Sequence, residues 1–450
     1  MNTHKMKILF ALLTLIVALV KATVINERDA TSSDSTYITK IFETDVYKTP
    51  AVIFFGKFNG EIVRCQKDQC EIFHKANRTD SIYSLHISGE YIYAGLFSGD
   101  ILKCHLYTKH SCKIFYPGSR PTPLNTPVFS LTSVRGHLFA GLDDVSDGTI
   151  MMCEKHQTDC RPLHKLRNTP VPALTQIGDN IYAGGGGMKV IRCSLTLDHC
   201  TQVYENSDRK KVTMGIANMD NVMYLLEHTG VLWKCPRTFN TITNCIHVYL
   251  NTNGGYTWTM VAFNASVYVL GGMGICDVNT GNCVSYTNQK EFRSMAMVYK
   301  THHMQSNYKE EDSCQDVQCE LVTYYNENER AAFKVHVKDG RLYNANDSFV
   351  DTSDADQGKT GPAAIFIMAP EGKIFLSNHH QGINTSSFLA GNPVSGAGEI
   401  VVEKGVIKKI TACSNHYKPD VELNKQVIQS LITQGYTEPI VLDMCNEIKN

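Results

Sequence analysis

The chain has 450 residues, 43 lysines and arginines against 44 aspartates and glutamates, a formal net charge of −1 and a hydrophobic fraction of 43%. That balance argues against a nucleic-acid binder held by a basic face and against a polyanionic mineral binder. The length allows two or three domains with full cores, so the sixteen cysteines are not there to rescue a tiny scaffold.

Lys5 and Lys7 precede an apolar run from Ile8 to Val20, with Ala22 as a small residue at the expected cleavage point. This reads as a secretory signal peptide over residues 1–22, followed by a linker over 23–36. As a helix the run would rise only about 20 Å, too short for a hydrocarbon core of about 30 Å. No later segment is long and apolar enough to span, so the expected location is extracellular. In an exported chain an even number of cysteines is a disulfide framework, and the pairs lack the CxxC or HxxxH partners of a zinc site.

The cysteines fall in pairs: Cys65/Cys70, Cys104/Cys112, Cys153/Cys160, Cys193/Cys200, Cys235/Cys245, Cys276/Cys283 and Cys314/Cys319. Their first members are 39, 49, 40, 42, 41 and 38 residues apart. Upstream of most pairs stands an apolar β core such as Ile92-Tyr93-Ala94-Gly95, Leu138-Phe139-Ala140-Gly141 or Ile181-Tyr182-Ala183-Gly184. A turn glycine and a short strand lead into the first cysteine, and the second cysteine opens another strand. With one more apolar stretch before each core, a unit holds four strands, the pattern of a β-propeller blade.

Residues 37–325 are therefore expected to form a seven-bladed β-propeller, with six blades as the alternative, carrying one disulfide per blade. Phe292 to Tyr299 supplies the inner strand of the seventh blade, whose Cys314-to-Leu321 stretch echoes Cys65-to-Ile72, and Tyr37 to Phe42 closes the ring. Each bridge clips an outer hairpin, where facing Cα atoms suit a disulfide. Gly184 to Gly187 reads as a permissive turn, since no Lys-Ser/Thr or helix follows to hold phosphate. The adjacent pairs His302-His303 and His379-His380 point to opposite faces of a strand and share no metal.

From residue 326 to 450 the pattern changes to a small α+β module. Hairpins are expected at Lys338-Asp339-Gly340, Pro370-Glu371-Gly372 and Glu403-Lys404-Gly405, a helix from Val421 to about Gln434 stopped by Gly435, and a last strand from Ile440 to Met444. Cys413 and Cys445 remain to pair by arithmetic.

Within residues 360–436 the blocks Ile365-Phe366-Ile367-Met368, Gly372-Lys373-Ile374-Phe375, Ser386-Ser387-Phe388-Leu389-Ala390-Gly391, Gly396-Ala397-Gly398-Glu399-Ile400 and Ser414-Asn415-His416-Tyr417 resemble a module of plant IQM calmodulin-binding proteins. A similar module forms the C-terminal region of bacterial effector or toxin-like proteins. The family has His where this chain has Thr385 and Gly where it has Asn415, and the IQ motif is absent, so calmodulin binding is not implied. The module brings no settled reaction. Ser386, Ser387, Glu399, His416 and Tyr417 offer a hydroxyl, a carboxylate and an imidazole, the materials of a nucleophile and base or of a nucleotide cleft. The competing reading makes them turn and corner residues of a packed core, and the balance favours a protein that is not an enzyme.

Sequons at Asn77, Asn264, Asn346 and Asn384 are expected glycan acceptors. The acidic run Asp347, Asp351, Asp354, Asp356 is too sparse for an ion site. The expectation is a secreted binding or matrix protein without cofactor or metal, whose propeller engages an extracellular protein, glycan or matrix component. The alternatives are a secreted toxin-like effector with an enzymatic or nucleotide-binding C-terminal module, and a component of a mineralised or cuticular matrix.

Overall fold

The computed structural model describes residues 38–40 and most of 51–443; residues 309–321 and short stretches such as 249–256 and 285–291 lie outside the description. The expected leader and linker, Cys314, Cys319, Cys445, Asn77 and Asn264 fall on residues outside it. Residues 51–298 form one compact unit; Tyr299 onward, with the strand β1 (Ile38–Lys40), belongs to the other.

In the first unit, β2 (Ala51–Lys57), β3 (Glu61–Gln66) and β4 (Gln69–Lys75) form three strands of one sheet. Five sheets of four consecutive strands follow. They are β5–β8 (Ile82–Ser88, Tyr91–Leu96, Ile101–His105, Lys113–Tyr116) and β9–β12 (Val128–Val134, His137–Asp144, Asp147–Cys153, Cys160–Arg167). Next come β13–β16 (Ala173–Ile177, Asn180–Gly184, Val190–Ser194, His199–Tyr204) and β17–β20 (Thr213–Met219, Val222–Glu227, Leu232–Pro236, Ile246–Val248). The last is β21–β24 (Thr257–Phe263, Ser266–Gly271, Gly274–Asp277, Cys283–Val284). The strand β25 (Phe292–Tyr299) then pairs beside β2, giving the order β25-β2-β3-β4.

The arrangement is propeller-like, but the expected seven-bladed propeller and its six-bladed alternative are both overturned. Five sheets are built from consecutive strands, and one more is assembled from the two ends of the unit. Phe292–Tyr299 makes no seventh blade; it supplies the strand that the first sheet lacks, with Phe292 stacked on Phe55 at 4.2 Å between ring centroids. Ile38–Lys40, the described part of the stretch expected to close the ring, pairs instead with Val441–Asp443 of the other unit's sheet.

One joint recurs between successive sheets. Ser294, Ser84 and Ser130 donate from Oγ to the carbonyls of Ile82, Val128 and Val171 at 3.3, 2.9 and 2.7 Å, each reaching the next sheet. Facing these hydroxyls are Gly56, Gly95 and Gly141, where a Cβ would collide with the serine Oγ. The glycines that end these three β cores are therefore required by close approach to the joint. Where the joint residue is Gly215, the facing residue is Leu226, so volume has moved from one strand to the other.

Disulfides join Cys65 to Cys70, Cys104 to Cys112, Cys153 to Cys160, Cys193 to Cys200 and Cys235 to Cys245, with Cα separations of 3.9 to 4.1 Å. Each lies across the two outer strands of a sheet or the turn joining them, where an exposed edge is otherwise free to fray. Cys276 and Cys283 face one another in register, and Cys413 is disulfide-bonded.

The second unit holds α1 (Glu327–Arg330), capped by Asn326 in a capping box with Glu329. Then come β26 (Lys334–Lys338), β27 (Arg341–Tyr343), the small pair β28 (Gln357–Gly358) and β29 (Gly361–Pro362), β30 (Ala364–Met368), β31 (Ile374–Asn378), β32 (Gly396–Glu403), β33 (Val406–Thr411), α2 (Val421–Thr433) and β34 (Val441–Asp443). Eight strands form one sheet in the order β1-β34-β33-β32-β30-β31-β26-β27. All three expected hairpins are present, and Asp420 caps α2 while Gly435, at φ 97°, follows its end. The helix covers the face of β32 that carries Gly396 and Gly398; the opposite face, with Ile365, Ile367 and Ala397, packs under Phe388, Leu389, Val394 and Tyr417. No helix among the described residues is long and apolar enough to cross a membrane.

Candidate functional site

In the second unit, the Ser-Ser-Phe and Ser-Asn-His-Tyr blocks meet. Thr385 Oγ1 and Ser414 Oγ lie 2.9 Å apart and buried, so the threonine that stands in place of the family histidine ties the two blocks together. Ser387 accepts from the Asn384 amide at Oγ (3.0 Å) and closes the turn with its own amide on the Asn384 carbonyl. Tyr417 is fully buried and donates its hydroxyl to the Asn392 carbonyl at 2.9 Å. The His416 ring packs on Tyr308, with centroids 4.3 Å apart, while the His416 carbonyl accepts from the Gln305 amide. Glu399 sits on β32 under this cover, 3.7 Å from Nε2 of His379. Ser386 is fully buried, and its Oγ has no hydrogen-bond partner among the described residues.

Ser387, His416 and Tyr417 hold turns and corners through identifiable partners. Two members of the acidic run, Asp347 and Asp351, bond within their own loops. The His336 ring and Lys338 hold the Asp347 carboxyl below the usual carboxylate range, and hydrogen bonds from Ser353 and the Lys404 amide do the same for Asp351.

In the first unit, the inner strands β5, β9, β13, β17, β21 and β25 line one cavity of about 320 Å³. The residues that precede Ser84, Ser130, Ala173, Gly215, Thr259 and Ser294 at the inner strands are Tyr83, Phe129, Pro172, Met214, Trp258 and Arg293, here called the collar; the first four line the cavity, and Trp258 and Arg293 lie outside its lining. Tyr83 packs on Phe129 with centroids 5.1 Å apart and on Phe97 at 5.7 Å. The Arg293 guanidinium lies over the rings of Trp258 at 3.9 Å and Phe58 at 4.7 Å. Phe58 and Phe97, at turns after β2 and β6, are 53% and 40% exposed. Burial holds the Arg293 pKa below its ordinary value. The collar escapes a search for motifs because the residue type varies at each position; its constant signal is the place immediately before a small residue.

Residues 329–423 match the IQ motif-containing protein middle domain. The match starts 36 residues before Ile365 and takes in all five motif residues. IQ domain-containing protein IQM5 of Arabidopsis thaliana is 32% identical over 114 residues, 25% of this chain and 22% of the relative. IQM2 of the same plant is 32% identical over 108 residues, 24% of this chain and 18% of its own length. The chain spans about a fifth of the length of these curated relatives. These are plant proteins, and the bacterial likeness gains no support from them. The likeness to the middle domain is confined to residues 329–423.

Among solved structures, a chain of the crystal structure of a nidogen/laminin complex has a TM-score of 0.43 at 10% identity, covering 55% of this chain and 98% of that one. The WD40 β-propeller domain of Doa1 has a TM-score of 0.34 at 10% identity, covering 50% and 86%. Likenesses this slight carry no argument about function.

Proposed function

We propose that this is a secreted, non-enzymatic binding protein whose propeller-like unit engages an extracellular protein partner through the collar. The observation that carries the reading is the collar: six inner strands each bring one residue to equivalent positions, and two further phenylalanines stay exposed beside it. Exposed aromatic side chains grouped with an arginine are the composition of binding hot spots. The five outer-hairpin disulfides support an oxidising compartment, since a reducing cytosol would open them. Their rigid sheets would hold the collar in one shape before binding and so lower the cost of ordering it. The apolar run Ile8 to Val20 and the exposed sequon residue Asn346 agree with export and glycosylation.

The test is retention of the protein, secreted from eukaryotic cells, on decellularised matrix. The wild type should be retained well above a reduced and alkylated control, and Trp258→Ala combined with Phe97→Ala should lose that retention while its thermal unfolding stays within a few degrees of wild type. Equal retention of variant and wild type would refute the collar, and wild-type retention no better than the unfolded control would refute the binding role.

A further inference from the structure

We propose that the collar takes an extended segment of a partner protein in which one carboxylate side chain, flanked by apolar or aromatic residues, seats on Arg293. The inference rests on the collar being the binding surface and adds the chemistry of what enters it. Arg293 lies against two aromatic faces, and among the described residues no carboxylate lies within ion-pair distance of it. A guanidinium stacked on rings keeps its in-plane N–H donors available, and their fork geometry matches a carboxylate. Partial removal from water raises what such a contact is worth, because little hydration remains to be stripped.

The surroundings decide the class of partner. A sulfated or uronic glycan, with a charge on nearly every residue, calls for several cations, whereas the collar positions hold one arginine among Tyr83, Phe129, Pro172, Met214 and Trp258. The nearby Lys57 is already joined to Glu61 at 2.9 Å. Phe58 and Phe97 offer apolar contact on either side of a single charge, which suits a peptide with alternating character.

The experiment is a synthetic peptide array in three matched sets, with Glu, Gln or Lys at the centre of aromatic and aliphatic flanks, alongside heparin-derived oligosaccharides. The full-length protein should select the Glu set. Arg293→Gln should weaken those peptides about tenfold or more, with Arg293→Lys weakening them less, as expected for loss of a charge-assisted, forked contact. Equal binding of Glu and Gln sets, or no effect of Arg293→Gln, overturns the carboxylate seat. Binding of the oligosaccharides in place of the peptides overturns the partner class. If no peptide set binds, the proposal falls; the collar reading falls with it only if Trp258→Ala also leaves matrix retention unchanged.

Discussion

The two units solve the same problem, joining β-strands into a core, in opposite ways. The unit of residues 51–298 repeats one joint: a serine hydroxyl reaching the next sheet, with a glycine across from it to make room. The eight-stranded sheet of the other unit has no repeated joint and depends on individual side chains far apart in sequence. Asn424 of α2 accepts from the Ala397 amide and donates to the carbonyls of Ala397 and Thr411, while Gln426 bonds Lys300 and Ser395. A repeated joint spreads its stabilisation over many similar contacts; a singular one concentrates it, and the two should therefore respond differently to substitution.

The largest effect is expected at Asn424→Leu, which strands three buried backbone groups, each costing about 1–3 kcal/mol when unsatisfied. Loss of about 3 kcal/mol or more should appear in chemical denaturation, and a loss below about 1 kcal/mol would remove the contrast between the units. Gly95→Ala should cost about 1–3 kcal/mol through overpacking against Ser84 and Val128. In a Ser84→Gly background the same change should cost less, because one of its two collisions is gone; a double-mutant cycle with no coupling would contradict the joint.

The cysteine pairs, the three hairpins and the capped helix could all be read from the sequence, because each is decided by residues close together in the chain. The sheet closure could not be read that way. Cys314-to-Leu321 echoes the first repeat and invites an extra blade, yet membership of a sheet depends on which strand completes it. The first repeat begins at its core, Val52 to Gly56, without an inner strand of its own. Phe292-Arg293-Ser294 carries the same large-then-serine pattern as Tyr83-Ser84 and Phe129-Ser130, which was the available sign that it belonged there. At the candidate module, the meeting of the two serine blocks could not be read from the sequence, because the Thr385 to Ser414 bond that joins them spans 29 residues and has no local signature.

Smaller effects sharpen the comparison further. Ser130→Ala removes one joint hydrogen bond and should cost about 1 kcal/mol, with the neighbouring joints preserving the fold. Glu61 supplies a pH-dependent test of the first unit. Lys57 above all, then Asn59 and Lys75, lower its carboxyl from 4.5 to about 2, against the opposing effect of burial. The folded-state value is depressed, so this group's contribution is complete above pH 4.5 and is lost as the pH falls from 4.5 towards 2. Glu61→Gln should flatten that part of the stability profile, and an unchanged acid slope would show that the carboxylate is not held as described.

Retention on decellularised matrix, compared between Trp258→Ala and Ser386→Ala at equal folded fraction, tests most directly whether recognition belongs to the collar. The account predicts that Trp258→Ala loses retention and Ser386→Ala keeps it; loss with Ser386→Ala and retention with Trp258→Ala would contradict it.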